Sequence, residues 1–298
     1  MGWWKRQQAR VVRLIFLVIS WLPLSMVHRL GNVLGHGLMF FSNDMRKFAR
    51  INIQHCFPEW TEAQRQQLLL QSLQETAKAI LETGALWLWP VECVLPLVRE
   101  ISGEDLIVQA MTKGDGVILA VPHLGAWEIV GIYCSHRWPM TSLYRPPRQP
   151  TLNEVMHQGR ERAGATLVPT DASGVRALYK ALGRGELIAI LPDQDPDRVS
   201  GVFAPFFGVQ TNTMTLLSRL ASKTGATVLM AYAERLPRGA GYHLHFEATE
   251  DALADADALL ATTSLNKAVE HCVLRQPAQY QWTYKRFKTR PKGESRFY

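Results

Sequence analysis

A histidine and a glutamate five residues apart, in the stretch VILAVPHLGAWEIV, are the first residues whose types and spacing suggest chemistry. His123 follows a short apolar run ending at Pro122, and Glu128 lies where a helical pattern begins. A carboxylate on one ring nitrogen fixes the imidazole tautomer and raises its basicity, leaving the other nitrogen to take a proton. Five residues is not a same-face spacing on a continuous helix. With His123 in a loop, however, a first-turn Glu128 can fold back to the ring. Such a dyad suits activation of a substrate hydroxyl as a nucleophile. Gly125 lets the backbone pass closely, and amides at a helix start can receive an oxyanion.

The spacing is weak by itself. The chain has nine histidines, and roughly half of one such pair is expected by chance. His245 and Glu250 repeat it, but in or after an alternating strand that puts His243 and His245 on one face with no helix start behind them. That pair is read as structural. Context favours His123, which stands beyond the carboxyl end of a buried strand, where α/β sheets bind ligands. Arg145 ends the strand SLYR before two prolines, and Arg160 lies on the next helix, in HQGRERAG. Either can clamp a phosphate, although Arg160 and Arg162 also read as solvated helix charges. Asp193, Asp195 and Asp197 follow another buried strand in ILPDQDPDRVSGVFAPFFG. They suit a metal or a substrate hydroxyl, or simply a polar turn, since Pro192 and Pro196 already explain the break. The apolar stretch 202–207 fits either a chain-binding groove or core. There is no G-x-S-x-G elbow, no Walker A motif and no G-x-G-x-x-G after a strand.

The elements around these residues alternate. Thr61 and Gln64 form a capping-box pattern, and the apolar positions from Leu68 to Leu86 keep helical spacing. From Gly116 onward, buried strands (VILAVP, MTSLYR, TLVP, ELIAILP, ATVLMAYAER) alternate with helices, and YHLHFEA alternates as a strand should. A late helix is expected at 264–274. The pattern predicts an α/β fold with a mostly parallel central sheet flanked by helices. The closing KRFKTRPKGESRFY is basic and reads as a solvated arm.

The N-terminus differs. Lys5, Arg6, Arg10 and Arg13 lead into LIFLVISWLPLSMV, whose 14 residues fall short of the roughly 20 that a spanning helix needs. No small-x-small cleavage site follows. A second apolar patch, GNVLGHGLMFF, is flanked by Arg46, Lys47 and Arg50. This reads as an apolar membrane-anchoring helix lying in, or dipping into, an anionic membrane face; a buried core helix is the plain alternative. The chain then divides into an anchor, 1–45, and an α/β domain, 46–298, with its basic tail.

Composition sets outer bounds. The chain has 298 residues, 47% hydrophobic and 20% charged, which is a globular balance. A mean hydropathy of −0.07 excludes a polytopic membrane protein. The net charge of +7 favours an anionic partner. The four cysteines show no CxxC or zinc spacing, so a reducing compartment fits better than a disulfide framework.

Further segments accompany these: RINIQHCFPEW (50–60), LETGALWLW (81–89), HLGAWE, YRP, the GR of HQGR, LPDQD and QYQWTYKRFKTRP. In this order, over nearly the whole chain, the set resembles the late lipid A acyltransferases. These are the lauroyl and myristoyl transferases of Gram-negative bacteria, within the lysophospholipid acyltransferase superfamily. The resemblance implies that His123 and Glu128 stand at the superfamily's His-x4-acid catalytic motif, with Glu in place of Asp. It implies that Arg160 and Arg145 help bind an anionic substrate. Asp193 falls where relatives have an acid in a Pro-Glu-Gly type motif, here Pro-Asp-Gln.

The implied donor is a fatty acyl chain on acyl carrier protein. The implied acceptor is an anionic glycolipid, a phosphorylated and partly acylated glucosamine disaccharide. His123 would deprotonate the hydroxyl of a 3-hydroxyacyl chain, and the alkoxide would attack the thioester. No cofactor is implied, and no metal. The implied location is the bacterial inner membrane, with the catalytic domain on the cytoplasmic side. Two alternatives remain at this level: an acyltransferase for another membrane lipid (phospholipid or aminolipid), and a non-catalytic membrane-peripheral or nucleic-acid-binding protein. Basic residues spread along the chain without one aromatic-interleaved module argue against nucleic acid.

Overall fold

The computed structural model describes Leu14, residues 16–144 and residues 150–298. The N-terminal basic residues up to Arg13 and the candidate Arg145 lie outside the described residues. Seven strands form one sheet: β1 (Val98–Ser102), β2 (Val117–Ala120), β3 (Met140–Tyr144), β4 (Ala165–Pro169), β5 (Leu187–Ile190), β8 (Thr227–Arg235) and β9 (Tyr242–Ala248). Two more, β6 (Gly201–Phe206) and β7 (Val209–Met214), pair only with each other. The order in the large sheet is β1-β9-β8-β2-β5-β3-β4. All its neighbours pair in parallel except β8 and β9. The expected mostly parallel sheet flanked by helices is therefore present. Its centre consists of VILA and LIAI, buried along their whole length, as strands covered on both faces must be. Ile118 and Ala120 point into one apolar layer, Val117 and Leu119 into the other.

Helices fill both layers. Preceding the sheet come α1 (Leu24–Gly37), α2 (Asp44–Cys56) and α3 (Glu62–Leu88). The 27 residues of α3 make a rod of about 40 Å. Thr61 caps it, with the predicted reciprocal Thr61–Gln64 capping box. Then follow α4 (Glu104–Lys113), α5 (Trp127–Arg137), α6 (Pro150–Glu161), α7 (Ala172–Leu182), α8 (Leu216–Thr224) and α9 (Ala258–Arg275). Helices α4 and α5 pack one face of the sheet; α7, α8 and α9 pack the other. Gly35 lets α1 lie directly on α3, because a Cβ there would sit 2.3 Å from the Gln74 Cα.

One open reading is decided and one expectation needs correction. Of the two readings of 202–207, core holds: Ala204, Phe206 and Phe207 belong to the apolar layer. Most of it lies in β6, which runs antiparallel to β7. Ala204 and Phe206 are buried, and Asn266 of α9 donates to the Ala204 and Pro205 carbonyls. The basic tail is not a solvated arm. Arg286, Phe287 and Arg290 are buried, with Arg286 donating to the Asn212 carbonyl and Arg290 to that of Gln210. β7 offers carbonyl oxygens to the Nη1 groups of Arg286 and Arg290, which offsets part of the cost of burying these two guanidinium groups.

No helix among the described residues is long and apolar enough to cross a membrane. The N-terminal segment nonetheless exposes several large apolar side chains, including Trp21 (82%), Val33 (68%), Phe40 (73%) and Phe41 (70%).

Candidate active site

The central parallel strands deliver two loops to one place. β2 and β5 are in register, with Ala120 opposite Ile190. Three residues beyond each strand end stand His123 and Asp193, and they meet. Asp193 Oδ1 accepts from His123 Nδ1 at 2.8 Å, and Oδ2 accepts from the His123 backbone N–H at 2.9 Å. A carboxylate can only accept, so Nδ1 carries the proton and Nε2 presents its lone pair. The Gln194 amide donates to that nitrogen at 3.1 Å. The ring lies 5.1 Å from that of Trp127, centroid to centroid.

Glu128 is elsewhere engaged. Its carboxylate accepts from Arg160 Nε at 2.9 Å and from Arg160 Nη2, and from the Trp87 indole at 3.1 Å. No hydrogen bond joins Glu128 to His123 among the described residues. The expected fold-back of Glu128 onto the imidazole is therefore replaced by an Asp193–His123 pair and a separate Glu128–Arg160 pair. The physical reason is strand register: parallel pairing places Asp193 beside His123, whereas Glu128 starts α5 and faces α3 and α6.

Trp127, Glu128 and Arg160 line one part of an apolar slot. It runs between α5 and the sheet past Gly131, Ile132, Met140, Ala165, Leu167 and Ala189. On the other side of Trp127 a second groove is lined by Ile80, Thr83, Tyr280 and Gln281. The slot and this groove share Trp127, whose ring lies beside that of His123.

A family model described as bacterial lipid A biosynthesis acyltransferase matches residues 8–289. The chain belongs to this family. It is similar to the lipid A biosynthesis lauroyltransferase of Escherichia coli (strain K12), with 30% identity over 95% of this chain and 91% of that one. It is 32% identical to the palmitoleoyltransferase of the same organism, over 93% and 90% of the two chains. With the myristoyltransferase of that organism it shares 26% identity over 89% and 81%. The chain is accordingly an acyltransferase of lipid A biosynthesis.

In this acyltransferase the loop bearing His123 is clamped from three sides. Gly125 has a φ of +60°, and a Cβ there would lie 1.9 Å from the Ala233 carbonyl oxygen, so the crossing requires glycine. Its N–H donates to Gln279 O and that of Ala126 to Ala233 O, while Gln281 N–H donates to His123 O. These amides are consequently taken. Those of Trp127 and Glu128, at the start of α5, donate to no described residue. The Gly125 carbonyl accepts from Arg235 at 2.9 Å. Arg235 is itself held by Glu82 of α3, which also accepts from His28 of α1 and from Tyr242.

Electrostatics keep these acids ionised. Burial pushes the Asp193 carboxyl up, but His123 beside it outweighs that and holds it below its ordinary value. Burial likewise opposes ionisation of Glu128, and the Arg160 guanidinium overcomes it. Burial acts against the charge of Arg160 too, and Glu128 more than restores it. Asp195 and Asp197 do not join the site. Asp195 accepts from Asn212 and Thr289, and Asp197 from the Val199 and Ser200 amides, which is the polar-turn reading.

Sequence reasoning assigned no role to Trp87, Gln194, Arg235 or Gln279. Trp87, Gln194 and Gln279 do fall inside segments of the family resemblance. The signal for pairing Asp193 with His123 was also available: each is the third residue past the last position of a four-residue buried strand.

Proposed function

We propose that the protein transfers a fatty acyl chain from acyl carrier protein to the hydroxyl of a 3-hydroxyacyl chain on a lipid A precursor. His123 Nε2 removes the hydroxyl proton. The alkoxide oxygen forms the new ester bond at the thioester carbonyl, the C–S bond breaks, and the departing thiolate takes the proton from Nε2. Asp193 holds the ring in the tautomer this requires and balances the imidazolium that forms. The observation that carries the proposal is this buried Asp193–His123 pair beside an apolar slot lined in part by Arg160.

In this reading the donor chain occupies the slot and the acceptor approaches along the second groove. Arg160 spends two of its five N–H donors on Glu128. The remaining three face an acceptor phosphate or the developing oxyanion. Glu128 acts through Arg160 as a positioning residue rather than on the imidazole. Arg145, by the family resemblance, adds to anion binding. Residues 1–45 hold the enzyme to the cytoplasmic face of the bacterial inner membrane through their exposed apolar side chains and basic flanks, and the α/β body, 46–298, does the chemistry. The net charge of +7 suits both an acidic carrier protein and an anionic lipid. No cofactor enters the scheme.

The test is an acyl-transfer assay with detergent-purified enzyme, a panel of acyl carrier protein thioesters and a lipid A precursor. His123→Ala is expected to lower kcat by about 10²- to 10⁴-fold with unchanged thermal unfolding. Full activity of the folded variant would refute the mechanism.

A further inference from the structure

Two histidines that the mechanism does not use lie on the reversed strand β9. Alternation puts His243 and His245 on one face, opposite to that of Tyr242. Antiparallel pairing sets Glu234 of β8 directly across from His243, and parallel pairing sets Glu100 of β1 on its other side. Glu234, His243 and His245 each offer one donor atom, and these atoms lie within 4.8 Å of one another. We propose that Glu234, His243 and His245 bind a zinc ion.

Two imidazoles and a carboxylate are a donor set that zinc takes in tetrahedral geometry, with donor atoms about 3.4 Å apart. The His245 Nε2 to Glu234 Oε2 separation is already 3.4 Å. His245 is buried, and its ring lies flat against Tyr232 at 4.5 Å and 11°, which fixes its plane. Glu100 reaches His243 Nδ1 at 3.5 Å, as the outer carboxylate of a zinc-bound histidine does. His243 Nε2 lies 2.8 Å from the Ser102 hydroxyl, a hydrogen bond that the ion would displace. The neighbouring Arg275 is paired with Glu247 at 3.1 Å, so its charge is met. An ion here would clasp the β8–β9 pair where the sheet reverses direction, on the face away from Arg235 and the His123 loop.

The experiment uses the full chain without an affinity tag, in detergent and stripped of metal by chelation. Zinc titration by calorimetry and thermal unfolding, and cobalt substitution read by visible absorption, report the site. One zinc per chain is expected, with a raised Tm and a tetrahedral cobalt spectrum. His243→Gln and Glu234→Gln, both at partly exposed positions, should each weaken binding by more than about tenfold, whereas His157→Gln should not. Metal-free acyl transfer in each variant verifies that it is folded. Absence of binding below about 1 mM free zinc, or unchanged binding in both folded variants, would overturn the proposal.

Discussion

At the scale of single residues, the site rests on which carboxylate meets which cation. Asp193 and Glu128 are both buried and ionised, yet they serve different partners. Removing the negative charge of Asp193 leaves the His123 tautomer unfixed. Asp193→Asn is therefore expected to lower kcat by roughly 10²-fold or more while leaving KM for the acyl donor nearly unchanged. Equal loss in both parameters would instead place Asp193 in substrate binding. The fully buried Glu82 has a different consequence. Burial pushes its carboxyl up, but Arg235 and His28 overrule that and bring it to about 2 against an ordinary 4.5. A depressed carboxyl adds stability above its unfolded pKa and loses it as pH falls through the folded value. Denaturant stability should thus hold above about pH 5 and decline toward pH 2. Glu82→Gln should cost about 3–5 kcal/mol at neutral pH, because it leaves the buried Arg235 with only its longer 3.4 Å contact to Glu75 as an ion pair. Its acid decline, followed by chemical denaturation, should be shallower than that of the parent.

At the scale of elements, the slot is a gap between one helix and the sheet. Its width is set by small residues: Gly131 on α5 faces Ala165 and Ala189 on the strands. Gly131 has room for a side chain, since a Cβ there would find its nearest neighbour, Met140 Cε, 3.9 Å away. Gly131→Leu therefore fills the slot without displacing backbone. The expected result, in competition assays with mixed acyl donors, is a shift of preference toward shorter chains at unchanged fold stability. An unaltered chain-length profile would move the donor chain out of this slot. The clamp on Gly125 belongs to this scale too. Ala233 from β8 and Gln279 from the C-terminal segment each hold the loop, so elements over 100 residues apart in sequence fix where His123 stands.

At the scale of the molecule, many of the exposed large apolar side chains, Trp21, Val33, Phe40 and Phe41 among them, fall within residues 14–45, and apolar side chains of this kind can enter the headgroup region of a bilayer. Replacing Trp21, Phe40 and Phe41 by serine should cut binding to anionic phospholipid vesicles, read by co-sedimentation, while acyl transfer in detergent stays intact. Parent-like sedimentation would show that these side chains do not hold the protein to lipid. The Glu82–His28 contact links α1 to the Arg235 clamp, and Arg235 donates to the Gly125 carbonyl, so α1 and the loop that bears His123 share one buried network.

Much of this protein can be read along the chain. The uninterrupted runs VILA and LIAI require burial on both faces, and the alternation of such runs with helices requires a parallel sheet with its site beyond the strand ends. The Thr61 cap, the order of the elements and the family segments follow from local spacing in the same way. Partner choice did not follow, because hydrogen bonds form between residues that strand register and helix packing bring together. Only the sheet shows that Asp193, 70 residues away, takes the ring that Glu128 was expected to hold. Only the packed core shows that a basic tail inserts its arginines among carbonyl oxygens. Local spacing reports which face a residue occupies; which other residue faces it is decided when the layers close.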